Sequence, residues 1–208
     1  MRQYPLDSGF VSRETRERLE TYADLVRKWQ SRINLISPKT LPDLWNRHII
    51  DSLQLFALKP QPVQWMDIGS GAGFPGLVTA ICLTEIGEGW VHLVESNNKK
   101  AAFLRQVIGQ TGARASVLPI RIDAARAKVG SMDAISARAL ASLPDLLSHC
   151  APFVEDNPKT EMWFHKGLDY FDEVRSARDL WAFDLVEHRS QLQDGSVILQ
   201  ISNLSKPT

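Results

Sequence analysis

Residues 65 to 76 read WMDIGSGAGFPG, an apolar approach ending in Asp67 and followed by glycines at 69, 71, 73 and 76. A strand that ends in an acid and feeds a glycine turn at the start of a helix presents backbone N–H groups to a ligand. Glycine serves that geometry twice, by permitting positive φ and by letting a ligand lie on the chain where a Cβ would stand. Pro75 suits a first helical turn, where its missing donor has no intrahelical partner. Such a loop holds a dinucleotide, an S-adenosyl cofactor, or nothing. Gly71, Gly73 and Gly76 satisfy G-x-G-x-x-G, and Glu95 lies 19 residues further on, near the roughly 20 of a dinucleotide-binding acid. The same stretch reads as D-x-G-x-G-x-G through Asp67, Gly69, Gly71 and Gly73, with Glu95 closing the second strand. Both readings put Glu95 on a ribose, accepting hydroxyl protons. They differ in cargo: a pyrophosphate wants a free helix N-terminus, whereas a methionine ammonium wants Asp67 nearby.

The remaining candidates are mostly cationic. Arg138 falls just beyond the fourth predicted strand, where open α/β sheets bind ligands. A phosphate or a guanine O6 suits it, and an ion pair with Asp133 or Asp145 is the structural alternative. Lys166, followed by Gly167, comes after the fifth strand and suits an RNA phosphate. In NRHIIDS, residues 46 to 52, Arg47 and Asp51 stand i and i+4 and can pair on one helix face, with His48 and Ser52 beside them. In that motif either Arg47 and His48 meet RNA or shape a cofactor lid, or the helix packs over the cofactor mouth through Ile49 and Leu53 with ordinary surface charges. Lys99 and Lys100 open a helix, where the dipole does not favour cations, which leaves them for solvent or RNA. The sequence offers no Ser/His/Asp or Cys/His constellation, no HExxH and no paired catalytic carboxylates. Cys82 and Cys150 lack metal or redox spacing and are expected as reduced core residues, and no metal site is expected.

These groups need a scaffold. Leu19, Tyr22, Ala23, Val26, Trp29 and Ile33 recur at steps of three and four, which predicts a helix over 12–33 capped by Ser12. A helix start broken by Pro38 and Pro42 precedes a second helix through Leu44, His48, Ile49, Ser52 and Phe56. The two prolines of KPQPVQ, residues 59 to 64, mark a linker. From there short apolar runs alternate with helical patterns, the signature of βαβ units. Strands are predicted at 64–68, 90–95, 115–120, 132–136 and 161–165, with helices at 75–86, 97–111, 142–153 and 168–181. The last stretch predicts an antiparallel pair turning near Asp194 and Gly195. The division expected is a helical extension over 1–60 and a Rossmann-like domain over 61–208.

With 208 residues, 44% hydrophobic and 23% charged, the chain is an ordinary folded protein, which excludes disordered and fibrous classes. It has neither the ~18-residue apolar run of a membrane span nor a secretory leader, so the cytoplasm is expected. Net charge is zero, yet residues 1–140 carry 18 Lys and Arg against 13 Asp and Glu, and residues 141–208 carry 6 against 11. Because salt screens charges beyond about 8 to 10 Å, a basic front on a neutral protein still binds polyanions locally.

The sequence resembles the ribosomal small-subunit methyltransferase G family, also called glucose-inhibited division protein B, from about Trp29 to the C-terminus. Four segments carry the resemblance: RINLIS with NRHIIDS, MDIGSGAGFPG, LVESNNKKAAFLRQV and ISARALASL. It implies a class I methyltransferase fold, a mainly parallel seven-stranded sheet with an antiparallel C-terminal pair. S-adenosylmethionine is the implied donor. The implied acceptor is N7 of guanine 527 in the 530 loop of 16S ribosomal RNA, naked or in the 30S subunit, with the enzyme expected as a monomer. On the matched motifs, Gly69, Phe74, Ile122, Asp123 and Arg138 fall at cofactor positions, while Arg121, Arg138 and Lys166 are basic positions near the reaction centre. Asn97 and Asn98 stand where relatives often have an acid, and His165 where an apolar residue or proline is expected. Guanine N7 carries a lone pair and no proton, so transfer needs orientation and no general base. Two other functions fit fewer residues: an NAD(P)-dependent oxidoreductase, on the G-x-G-x-x-G match and Glu95, and a non-catalytic RNA-binding module.

Overall fold

The apolar runs become one seven-stranded sheet in the computed structural model, which describes residues 10–192 and 195–207. Five strands are parallel: β1 (Gln64–Ile68), β2 (Trp90–Val94), β3 (Ala115–Leu118), β4 (Ala134–Arg138) and β5 (Glu161–Lys166). β6 (Ala182–Arg189) and β7 (Val197–Ser205) complete it in the order β3-β2-β1-β4-β5-β7-β6, with β7 antiparallel to both neighbours. The expected antiparallel closure is therefore present; its turn at Asp194 lies outside the described residues. Strand order reverses at β1 and β4, so the connections diverge there and a crevice opens beyond the strand carboxyl ends.

Helices α1 (Arg13–Gln30), α2 (Asp51–Leu58), α3 (Gly76–Ile86) and α4 (Asn98–Thr111) cover one face, and α5 (Leu143–Asp156) packs on the other with α6 (Tyr170–Arg178). The period-2 rule is visible in β1, where Trp65 joins the first apolar cluster and Met66 and Ile68 join the second. Asp67, on the Trp65 side, is thereby sent beneath α3. Leu19, Tyr22 and Val26 of α1 and Leu55 of α2 share a cluster with Trp65 and Leu77, so the N-terminal helices form one layer with the sheet. Ser12 caps α1 as expected, accepting the Thr15 N–H at 3.1 Å. Cys82 and Cys150 are buried thiols. Among the described residues, no helix is long and apolar enough to cross a membrane.

Two departures from the sequence reading matter at the site. β4 starts two residues later than expected, because the Met132 carbonyl is taken by Thr160 Oγ1 and Asn157 Nδ2. Arg138 and Lys166 thus end their strands instead of following them. The second helix begins with a 3-10 turn at Leu41–Asp43 and a π-helical turn at Trp45–Ile50 that runs straight into α2. A π turn widens the helix and shifts its faces, a device common at functional sites. His48 and Asp51 are consequently both buried, and the expected Arg47–Asp51 pair is replaced by an ion pair between Asp51 and Arg138.

Candidate functional site

The loop after β1 takes the conformation its glycines allow, with φ of +63° at Gly69, +56° at Gly71 and +98° at Gly73. It is pinned from both sides. The Gly71 N–H donates to Glu95 Oε2 at 2.8 Å, and the Asn97 N–H donates to Glu95 Oε1 at 2.7 Å. From α1, the Tyr22 hydroxyl donates to the Ala72 carbonyl at 2.6 Å. The Phe74 ring stacks on Tyr22 and lies 5.0 Å from the His48 ring. Tyr22 reads in the sequence as one more apolar stripe residue, and nothing there signals its bond to the loop. Losing that bond would leave a buried carbonyl unsatisfied, at a cost of ~1 to 3 kcal/mol. Tyr22→Phe should therefore unfold at lower urea concentration than the wild-type protein, which a urea titration reads.

Over the loop lies a cavity of about 640 Å³. Its walls bring together Gly69, Gly71, Phe74, Glu95, Ile122 and Asp123, with His48, Arg121 and Arg138 at the same space. Four expected site residues stand outside that lining. Gly73 faces Tyr22 and Leu77, Asp67 lies beneath the loop, Arg47 is exposed, and Lys166 belongs to a neighbouring cavity. The sequence reading gave no role to Leu35 and Ile36, which also line the space. Gln30 holds them there: its Oε1 accepts both their N–H groups and its Nε2 donates to the Ile36 carbonyl at 2.8 Å. A polar residue closing the apolar stripe of α1 was the available signal.

The electrostatics follow from burial. Asp67, 1% exposed, is pushed up to about 6, chiefly by desolvation and against the Ser136 hydroxyl, which donates to Oδ1 at 2.6 Å. Its Oδ2 has no hydrogen-bond partner among the described residues. His48 is lowered to about 3, first by burial and then by Arg138 and Arg47, so it is a neutral imidazole at pH 7; Nε2 lies 2.9 Å from Thr40 Oγ1. The Arg138 guanidinium donates from Nη2 to the Arg47 carbonyl at 2.7 Å, and its Nη1 lies 3.4 Å from Asp51 Oδ2. Asp133 and Asp145, considered as its partners, are occupied elsewhere, by the Gln64 N–H and by Ser142.

Lys166 has an ion-pair partner that the sequence alone does not supply. Its side chain is only 8% exposed, and its ammonium donates to Glu173 Oε2 at 2.6 Å and to the Ala141 carbonyl at 2.8 Å. The helix following Gly167 brings that carboxylate within reach, so the ammonium is paired within the chain. Arg47 enters the site through its backbone carbonyl, while its side chain is exposed. Arg121 is 81% exposed at the mouth, 3.5 Å from Asp123.

Residues 15–197 match the family model described as rRNA small subunit methyltransferase G. The chain belongs to that family. It is 58% identical over 199 residues to the ribosomal RNA small subunit methyltransferase G of Rhizobium meliloti (strain 1021), covering 95% of this chain and 93% of the relative. The Sinorhizobium medicae (strain WSM419) relative is 55% identical with the same coverage. Solved structures agree on the fold. The magnesium protoporphyrin IX methyltransferase of Synechocystis PCC 6803 superposes with TM-score 0.57 at 10% identity, covering 93% of this chain and 98% of that one. The ribosomal protein L11 methylase of Lactobacillus delbrueckii subsp. bulgaricus gives 0.57 at 15% identity, covering 76% and 78%. The fold is that of the class I methyltransferases, and rRNA small subunit methyltransferase G membership sets aside the oxidoreductase reading of G-x-G-x-x-G.

Proposed function

We propose that the protein transfers a methyl group from S-adenosylmethionine to N7 of a guanine in the 530 loop of 16S ribosomal RNA, in the bacterial cytoplasm. When bound, the donor supplies a methyl group made electrophilic by the sulfonium. The observation that carries the reading is the pairing of a bare-backbone cradle, Gly69 and Gly71, with the Glu95 carboxylate in the wall of the same cavity. Glu95 spends one lone pair of each oxygen on the loop and keeps the others for ribose hydroxyls. Asp67, beneath the loop and outside the cavity lining, is a buried carboxylate packed against Gly76 with Oδ2 short of a well-formed hydrogen bond, and an amino-acid ammonium held on the loop above would compensate its charge. Ile122, Asp123 and Phe74 enclose the remaining space, which suits an adenine.

No residue is asked to remove a proton, since N7 has none. Neutral His48 and the fixed guanidinium of Arg138 shape and orient, and holding reactants in line contributes up to ~7 to 11 kcal/mol in favourable cases. Arg121 and Lys100, at the cavity mouth, and exposed Arg47 are the cations placed for RNA phosphates.

The test is direct. Unmethylated 30S subunits and protein-free 16S RNA, incubated with the protein and labelled donor, should take label into N7-methylguanine at one nucleotide of the 530 loop. Label at another base, in protein or in a small molecule would overturn the acceptor. Calorimetry should show binding of S-adenosylhomocysteine and none of NADH.

A further inference from the structure

The donor cavity shares a wall with a second cavity of about 350 Å³: Arg138 and Ala139 line both. Two carboxylates stand in the second space, and they differ in attachment. Asp51 is tied to the shared wall, its Oδ2 3.4 Å from Arg138 Nη1. Glu173 is anchored elsewhere, to the end of β5 and the start of α5. Its Oε2 accepts from Lys166 Nζ at 2.6 Å and from the Leu143 N–H at 2.5 Å, while its Oε1 takes no hydrogen bond among the described residues. Because Lys166 is also held by the Ala141 carbonyl, the carboxylate is fixed with one oxygen occupied and one open.

On the reading proposed above, on which this inference rests, the acceptor N7 faces the wall shared with the donor cavity. Guanine's N1–H and 2-amino donors lie on the ring edge away from N7. A group that reads them must stand off the Arg138 wall, which selects Glu173 over Asp51. Acceptors at that edge reject adenine, whose N1 has no proton and which has no 2-amino group. Enzymes acting on a base commonly take it out of its stack into such a pocket and read its pairing edge.

We propose that the second cavity receives the extruded guanine, and that Glu173 accepts from its N1–H and 2-amino groups through Oε1. Arg138 then meets the O6 side of the base. Lys166 is a positioning residue: it touches Glu173 and sets which oxygen is open.

The experiment compares 16S RNA carrying guanosine or inosine at the target nucleotide. Inosine keeps O6, N7 and N1–H and lacks only the 2-amino group. For the wild-type protein, kcat/KM should fall roughly tenfold to a hundredfold on inosine, the range for one lost base-reading contact. For Glu173→Gln, the preference for guanosine should shrink toward one while affinity for S-adenosylhomocysteine is unchanged. Lys166→Met should shrink it partway. Equal wild-type rates on both RNAs, or a full preference retained in Glu173→Gln, would overturn the assignment, and the wild-type comparison needs no variant to fold. Methylation of neither RNA would instead remove the proposed reaction, a different failure from equal methylation of both.

Discussion

Gly73→Ala should bind S-adenosylhomocysteine at least about tenfold more weakly than wild type and lose a large part of the protein's stability. At φ of +98° an L side chain is strained, at a cost of ~1 to 3 kcal/mol. The added Cβ would also stand 2.5 Å from Leu77 Cδ1 and 2.9 Å from the Tyr22 hydroxyl. Overpacking of that kind costs ~1 to 3 kcal/mol more, and relief displaces the Leu77 side chain or the Tyr22 hydroxyl that holds Ala72. The comparison is Gly71→Ala. There φ is +56° and a Cβ would meet only the Gly69 carbonyl, at 3.7 Å. Gly71 lines the cavity, so that methyl group should obstruct the ligand with a stability loss of only ~1 to 2 kcal/mol, the left-handed cost alone. Thermal unfolding and calorimetry on both variants separate the two effects. A Gly73→Ala protein with wild-type affinity and stability would mean that the loop is not held as described.

How much of this was legible beforehand can be judged residue by residue. β1 was readable to the residue, because Trp65, Met66 and Ile68 form a short apolar stretch bounded by Pro62 and the Gly69 turn, interrupted only by the acid at Asp67. Glu95 and the glycines were readable because their chemistry is local: φ, missing Cβ atoms and one carboxylate per strand end. Arg138 was placed in the right region, but the ion-pair alternative named the wrong acids, since sequence proximity to Asp133 and Asp145 says nothing about a helix 87 residues earlier that brings in Asp51. The π turn that turns Asp51 inward has no sequence signature distinct from an α-helix. The partner of Lys166 was not legible for a related reason. Burial of an ammonium depends on whether a carboxylate arrives from another element, and Glu173 comes from α6.

Asp67→Asn should make the protein more stable at pH 7.5 and a poorer binder of the donor product. The Asp67 carboxyl is raised from 3.8 to about 6, first by burial, which outweighs the hydrogen bond that Ser136 donates to it. A folded-state value above the unfolded one means that the native protein holds the proton more tightly. Its contribution to stability is fully present below pH 3.8 and is lost as pH rises through about 6. A shift of that size corresponds to roughly 3 kcal/mol, and at 1% exposure solvent screening does not discount it. The amide removes the buried charge while its oxygen still accepts from Ser136, so the variant should gain up to ~3 kcal/mol at pH 7.5, less the cost of an unpaired amide N–H. It should gain nothing at pH 4. The same charge is what an ammonium would seek, so affinity for S-adenosylhomocysteine should fall by about tenfold or more, the weight of a charged hydrogen bond. Saturating wild-type protein with that ligand should flatten its stability slope between pH 4 and 6, because the compensated carboxylate no longer gains by taking a proton. Urea unfolding across that range, with and without ligand, reads every part. A slope indifferent to ligand, together with unchanged affinity in the variant, would remove Asp67 from the cofactor site and leave it a core residue.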